Sequence, residues 1–261
     1  MAFHSTDVRP DTPAQPWPWK RSQPSAARVV DLIPNAARLI KAATLLGPVT
    51  AQTKGGPATI SAPVRYAALQ DNCVTAQGFA LAVNPEAWHR ALLLETGHET
   101  FQHKIAAFGA AGTLLHKVIC TNPDVADTLY SIEVALSGEG RDPNTDMANA
   151  MAPTAPLVRR PMMANALSVL MRVAEWQRLP MRVSVTNAGC TQSNVGTPTS
   201  VTDKTDSLSI TFDSGAELEV ARLSNLLAWE TATDNSVSDG ADPAGATLCV
   251  ADPKEGGWME L

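Results

Sequence analysis

Two stretches of the chain can be laid on each other because short elements follow one another in the same order in both. Each opens with an amphipathic helix, after which a proline, Pro48 or Pro180, leads into a short strand. Each strand ends in a glycine-containing turn, at residues 54–56 and 187–189. Each stretch closes with a glycine turn into a strand, and these closing segments, residues 112–120 and 245–250, align with each other. This shared order constrains the fold more than any single motif does, and it predicts two tandem copies of one small unit.

Hydrophobic periodicity predicts an α+β fold. Apolar residues follow helical spacing after a plausible N-cap at Asn35, and a similar stripe runs through residues 163–174. Residues 181–186 and 208–212 alternate in the manner of half-buried strands. Asn84 and Pro85 are typical of a helix start, so we expect a short helix through Leu94. Each repeat is therefore predicted to be a meandering antiparallel sheet with flanking helices.

Proline and glycine positions divide the chain. Residues 1–27 contain a Pro-Trp-Pro-Trp run and are predicted to be an extended arm. Residues 137–161 are rich in proline and glycine with little periodicity, which predicts a linker. The first repeat then covers residues 28–136, and the second covers residues 162–261.

Charge and composition exclude several classes of function. The formal net charge is -6 and the isoelectric point about 5.3, which argues against nucleic acid and against an anionic membrane as partners. No stretch approaches the roughly 20 apolar residues of a membrane helix, and the start lacks the apolar core of a signal peptide. We therefore expect a cytoplasmic protein. The four cysteines lie far apart, which favours buried free thiols over a disulfide framework or a zinc site.

Three segments resemble the cytoplasmic haem-utilisation proteins of the HemS/ChuX type. Residues 45–53 are similar to the end of a helix and the first strand in that family. Residues 108–121 are similar to its F-x-x-x-G-x-x-x-H-K-V hairpin, and residues 179–192 to its strand-turn-strand with G-C-x-Q. The resemblance covers most of residues 35–135 and 162–255.

The resemblance implies a fold, a ligand and partners. The fold is a pseudo-dimer of two repeats, here within one chain, so a monomer is expected. The implied ligand is haem, because family members carry or degrade it. A haem-import system or a haem-accepting protein is the implied partner.

The chain departs from the family at the positions that hold haem there. The family's ligating histidine opens the second half in a D-V-H-x-F helix, whereas the matching residues 137–161 contain no histidine. An arginine of the family's L-T-R-x-x-A motif is also unmatched. At the end of the last strand the family has tyrosine and arginine, and here Lys254 is the only cation.

His103 and His116 are the candidate axial ligands. If Phe108 pairs with Thr113, the two histidines are diagonal neighbours on one face of a hairpin, roughly 7–8 Å apart at the backbone. A register change of one residue would turn Lys104 and Lys117 to that face instead. The alternative is that both histidines are half-buried sheet residues that bond to backbone groups.

Arg65, Tyr66 and Lys254 complete the candidate haem-binding set. An arginine beside a phenol is suited to hold a propionate and cap a ring, although a solvated strand pair explains Arg65 and Tyr66 as well. No nucleophile elbow, zinc-protease motif, P-loop or dinucleotide fingerprint occurs. The predicted function is haem binding for haem trafficking or utilisation. The alternative is a non-catalytic scaffold that has lost haem binding, and haem degradation is the one enzymatic activity considered.

Overall fold

A computed structural model describes residues 28–96, 102–137, 160–161, 166–221, 227–231, 247–251 and 258–260. The predicted arm, residues 1–27, lies outside the described residues, as does most of the predicted linker. The prediction of an α+β fold is confirmed, because strands dominate and a few helices flank them. None of the helices within these ranges is long and apolar enough to cross a membrane.

The first half of the chain supplies a helix, a run of strands and a second helix. The elements are β1 (Arg28–Leu32), α1 (Ala36–Leu45), β2 (Pro48–Gly55), β3 (Ala58–Arg65), β4 (Cys73–Ala76), β5 (Phe79–Val83), β6 (Arg90–Thr96), β7 (Gln102–Phe108), β8 (Leu114–Cys120) and α2 (Ala126–Leu136). Short 3-10 helices precede β6 at Pro85–Ala87 and α2 at Pro123–Val125.

The second half repeats the pattern of a helix followed by strands. Its elements are β9 (Arg160–Pro161), α3 (Ala166–Gln177), β10 (Met181–Thr186), β11 (Cys190–Gly196), β12 (Pro198–Asp203), β13 (Ser207–Phe212), β14 (Glu217–Ala221), β15 (Leu227–Thr231), β16 (Thr247–Ala251) and β17 (Trp258–Glu260).

The strands form two antiparallel sheets, and each sheet takes strands from both halves. The first sheet has the order β1-β6-β7-β8-β2-β3-β14-β13-β12. The second sheet has the order β4-β5-β11-β10-β17-β16-β15-β9. Strands β12 to β14 therefore extend the sheet of the first half, and β4 and β5 extend the sheet of the second half.

The two strand orders correspond position by position. The order β1-β6-β7-β8-β2-β3 in the first sheet corresponds to the order β9-β15-β16-β17-β10-β11 in the second. In each sheet the next strands, β14-β13-β12 or β5-β4, come from the other half of the chain. This correspondence supports our proposal that the chain is a tandem duplication. It also corrects one expected match, because β16 lies at the position of β7, whereas the sequence alignment set it against β8.

Local signals explain the helix ends, and tertiary pairing explains one wrong prediction. The Asn35 side chain accepts a hydrogen bond of 3.0 Å from the Arg38 amide, so the predicted N-cap of α1 is confirmed. The prediction of a helix from Pro85 to Leu94 is wrong, because within this range a single 3-10 turn forms and the chain then enters β6. Strand β6 is flanked by β1 and β7 and buries alternate side chains, and these contacts outweigh local helix propensity.

The two sheets pack face to face where β2 and β3 meet β10 and β11. A Cβ atom on Gly55 would lie 2.1 Å from the Thr186 carbonyl oxygen, so only glycine permits this approach of the two backbones. A Cβ on Gly189 would lie 2.5 Å from the Leu115 side chain. Apolar residues of both halves join in one hydrophobic core around this crossing.

We predict that Gly55→Ala destabilises the protein by about 3 kcal/mol, because the added methyl forces the sheets apart. Urea unfolding followed by circular dichroism measures the change. Gly112→Ala is the matched control: Gly112 has a φ of +74° but nothing within 4 Å of an added Cβ, so only about 1 kcal/mol is lost. Equal losses in the two variants would contradict the close approach at Gly55.

Candidate functional site: a buried network between the sheets

His116 lies on β8 with its side chain turned into the space between the two sheets. It is buried, and both of its ring nitrogens have partners. The Tyr66 hydroxyl is 2.5 Å from Nε2, and the Thr53 hydroxyl is 2.8 Å from Nδ1. Trp88 stacks on the imidazole with ring centroids 6.3 Å apart. The ring is therefore held on two edges and one face.

The donor and the acceptor of each hydrogen bond around His116 follow from the groups involved. Thr53 donates its hydroxyl proton to Gln192 Oε1 at 2.8 Å, so its oxygen accepts the Nδ1–H of His116. His116 Nε2 is then unprotonated and accepts from the Tyr66 hydroxyl. Gln192 in turn donates from Nε2 to Asn194 Oδ1 at 3.2 Å. We call this set of residues the inter-sheet network: Tyr66, His116, Thr53, Gln192 and Asn194. Its hydrogen bonds assign His116 to the tautomer that carries the proton on Nδ1.

Burial keeps the network uncharged. Desolvation lowers the pKa of His116 to about 3, because burial disfavours a charged ring. Burial raises the pKa of Tyr66 well above its usual value, and the neighbouring Cys190 thiol adds to that shift. The imidazole and the phenol therefore stay neutral across the physiological range of pH.

The turn after β10 seals the network from one side. Asn187 donates from Nδ2 to the carbonyl oxygens of Lys54 at 2.7 Å and Leu115 at 2.8 Å. Its Oδ1 accepts from the backbone amides of Gly189 at 2.8 Å and Cys190 at 3.0 Å. One asparagine thus satisfies four backbone groups, two on the first sheet and two in its own turn.

Cys190 and Trp88 complete the seal. The Cys190 thiol donates to the Leu115 carbonyl oxygen at 3.5 Å, and burial raises its pKa to about 12. Trp88 donates from Nε1 to the Gly189 carbonyl oxygen at 3.0 Å. The thiol is therefore a buried, protonated packing group, which is how the sequence predicts the cysteines.

His103 belongs to a separate polar cluster at the other end of β7. Its Nδ1 lies 3.8 Å from Glu95 Oε1, and Glu95 Oε2 lies 3.6 Å from Arg28 Nη1. Arg28 also binds the Glu133 carboxylate of α2 through both terminal nitrogens. Burial lowers the pKa of His103, and the negative charge of Glu95 opposes that shift. The cluster ties α2 to the first sheet.

The two histidines are not diagonal neighbours, and the expected register is wrong. Phe108 lies opposite Leu114 instead of Thr113, and a bulge between Ala107 and Phe108 shifts the pairing by one further residue. His103 therefore pairs with Cys120, and His116 pairs with Ala107. Four residues of strand separate the histidines, which is about 14 Å. A single iron atom cannot bind both.

The remaining candidates are not brought together either. Arg65 ends β3 with an exposed side chain, whereas Tyr66 is buried on His116. Lys254 lies outside the described residues. Sequence reasoning missed Thr53, Gln192 and Asn187, although Gln192 lies in the G-C-x-Q segment. A signal for Thr53 and Gln192 is a polar side chain at an inward position of β2 and of β11. Asn187 lies in the turn after β10 and has no such signal.

His103 and His116 do not fit an axial haem site. An axial ligand needs a ring nitrogen with an accessible lone pair beside a flat apolar slot. In His116 the Nε2 lone pair accepts from Tyr66, and Nδ1 carries the proton donated to Thr53. His103 is buried within the sheet beside Glu95. The inter-sheet network is therefore suited to holding two sheets together.

The fold defines the class to which the chain can be compared: α+β proteins with two sheets that exchange strands between halves. No protein-family profile and no curated protein matches the sequence. Among solved structures, it is similar to holo-PhuS, a heme-binding protein from Pseudomonas aeruginosa, with a TM-score of 0.64 and 18% identity. That match covers 89% of this chain and 81% of the PhuS chain.

A second similar structure is ChuS, described as an E. coli heme oxygenase. Its TM-score is 0.64 at 14% identity, and the match covers 88% of this chain and 82% of that chain. At these identities the likeness shows a shared fold. The chain therefore has the fold of PhuS and ChuS over most of its length.

We predict that His116 makes folding stability depend on pH. Its pKa is about 3 in the folded protein and about 6.5 when unfolded, so between these values only the unfolded chain is protonated. Stability therefore falls as pH drops below about 6.5, by about 3 kcal/mol between pH 7 and pH 4.5. Urea titrations of wild type and His116→Gln measure this, and the stability difference between the two should shrink toward low pH.

The same titrations contain their own control. Between pH 8 and pH 9 the residue at position 116 is neutral in both states, so the two stability curves should run parallel there. A wild-type advantage that stays constant from pH 7 to pH 4.5 would show that His116 has the same pKa in the folded and the unfolded protein.

Proposed function

We propose that this chain is a haem-binding protein that acts in haem trafficking or utilisation. The observation that carries the proposal is the fold shared with PhuS and ChuS across nearly nine-tenths of the chain. PhuS is described as a heme-binding protein and ChuS as a heme oxygenase. Haem when bound would supply the redox-active iron, and the chain would supply the apolar slot and the cations for the propionates.

The proposal does not use the buried histidines. Recruiting His116 would break its bonds to Thr53 and Tyr66 and open the joint between the sheets. Recruiting His103 would remove a buried ring from beside Glu95. We therefore propose that the axial donor lies away from the inter-sheet network. Arg65 and Lys254 are the proposed partners of the haem propionates.

The second candidate function is a non-catalytic scaffold that kept the fold and lost haem binding. A specific observation favours it: within the described ranges, the two buried histidines serve the architecture. The segment that aligns with the family's ligating helix also contains no histidine. The candidates differ in a measurable way, since only the first binds haemin at one saturable site.

The cellular setting is part of the same proposal. We propose a monomer in the cytoplasm that receives haem from an import system or passes it to a haem-accepting protein. A degrading activity would need a reductant and would yield a biliverdin-like product.

We predict that haemin titrated into the apo protein shifts its Soret band and saturates near one equivalent. His103→Ala and His116→Gln should saturate at the same ratio with the same band position, because neither ring is the donor. Circular dichroism and urea unfolding of each variant confirm that it is folded. The absence of a saturable shift in wild type would reject haem binding and support the scaffold. A shift abolished only in a folded histidine variant would reject the donor assignment.

A further inference from the structure

The first sheet has an apolar area on the face that points away from the second sheet. Side chains alternate along each strand, and those of β7 and β8 that enter the core, such as Ile105 and Val118, are buried. The alternate positions of β6 to β8 point outward, and many of them carry half-buried apolar side chains. We call this set of residues the outer patch: Leu92, Leu94, Phe108, Leu114 and Ile119.

The other end of the same sheet has a polar outward face. There β13 and β14 present serine, threonine and glutamate outward, at Ser209, Thr211, Glu217 and Glu219. Polar outward side chains are usual for an antiparallel sheet that has one face in water. The outer patch therefore departs from the rest of its own sheet, and contiguous apolar surface of this kind marks a binding site.

Lys104 and Lys117 lie within the outer patch. Lys104 is flanked by Leu94 and Ile119, its partners on β6 and β8. Lys117 lies opposite Ala106, so the two lysines are diagonal neighbours, roughly 7–8 Å apart at the backbone. Both side chains are half-buried. Burial lowers the pKa of Lys117, and the positive charge of Lys104 adds to that shift.

No acidic side chain balances the two lysines within the described ranges. None of the ion pairs that form there includes Lys104 or Lys117. On the same face, Asp31 is already paired with Arg90 at 2.9 Å. Glu217 lies three strands away from β8, which is about 14 Å. An anion bound from outside would relieve the repulsion, so the lysine pair indicates an anionic ligand.

The position of the charges indicates the chemistry of this ligand. Protein interfaces keep charged residues at the rim and apolar residues at the centre, whereas Lys104 has apolar neighbours on both sides. The outer patch is therefore suited to a small ligand that combines a flat apolar body with carboxylate groups. Haem has this composition, because its apolar ring carries two propionates.

We propose that the outer patch is one wall of the haem site, with Lys104 and Lys117 holding a propionate. This inference rests on the proposed function and specifies the surface on which the ring lies. Arg65, one of the proposed propionate partners, points to the same face, because it alternates with the buried Val64 on β3. The described outward side chains of β6 to β8 include no histidine, cysteine, methionine or tyrosine, so this wall does not supply the axial donor.

The test replaces both lysines by methionine, which keeps an unbranched side chain and removes the charge. The Lys104→Met and Lys117→Met double variant should bind haemin about tenfold more weakly than wild type, because charge-assisted hydrogen bonds are lost. Haemin dimethyl ester, which has no free carboxylate, should bind wild type and the double variant equally. Metal-free protoporphyrin IX, followed by its fluorescence, should show the same loss as haemin, because it keeps the propionates and lacks the iron.

Lys41→Met is the matched control, because Lys41 is exposed on α1 and lies outside the outer patch. It should bind all three ligands as wild type does. Urea unfolding should give the double variant a midpoint no lower than that of wild type, since the repulsion between the lysines is removed.

Haemin binding that saturates in wild type and is unchanged in the double variant would overturn this inference and leave the proposed function standing. Equal losses for haemin and its dimethyl ester, or a double variant less stable than wild type, would assign the lysines to the fold and overturn the inference as well. If wild type binds no haemin saturably, the proposed function itself is rejected, and this inference with it.

Discussion

The close approach of the ends of β2 and β10 is the constraint on which the rest of the structure depends. It is possible because Gly55 has no side chain where it faces the Thr186 carbonyl oxygen. Once the two backbones are this close, Thr53 reaches Gln192 and Asn187 reaches the Lys54 carbonyl oxygen. Each polar group buried at the crossing then has a partner, which is the condition for burying it at all.

The two most specific segments of the resemblance meet at this crossing. His116 of the hairpin and Gln192 of the second strand pair are joined through Thr53, and Asn187 bonds to the backbone of Leu115. Residues that look like a family signature are therefore residues of a joint. A chain that is 18% identical to PhuS can therefore hold the same fold through these contacts.

Local signals in the sequence were sufficient where the determinants are neighbours in the chain. The N-cap of α1 at Asn35 and the alternating strand β13 follow from adjacent residues. Strand β6 was predicted as helix because its environment, a strand on each side, is distant in sequence. The pairing of Phe108 with Leu114 and the bulge at Ala107 are invisible in the sequence, and together they move His103 away from His116.

The contacts of the candidate site were even less accessible from sequence. Thr53 and Gln192 are 139 residues apart, and no periodicity connects them. What the sequence did contain was the residue types: inward polar side chains on β10 and β11 that would be costly to bury without partners. Pairing them required the crossing of the sheets, which depends on a single glycine.

The two halves share one strand order but differ in how their helices meet the sheet and the solvent. In the first half, Arg28 and Glu133 fasten α2 over the sheet, and Glu95 and His103 lie buried beneath it. In the second half, α3 turns Val173 and Trp176 outward. The joint itself is neutral at physiological pH, because burial suppresses the charge of both His116 and Tyr66. The joint therefore holds the two sheets together by packing and by hydrogen bonds between neutral groups, and it does so at any pH at which His116 stays unprotonated.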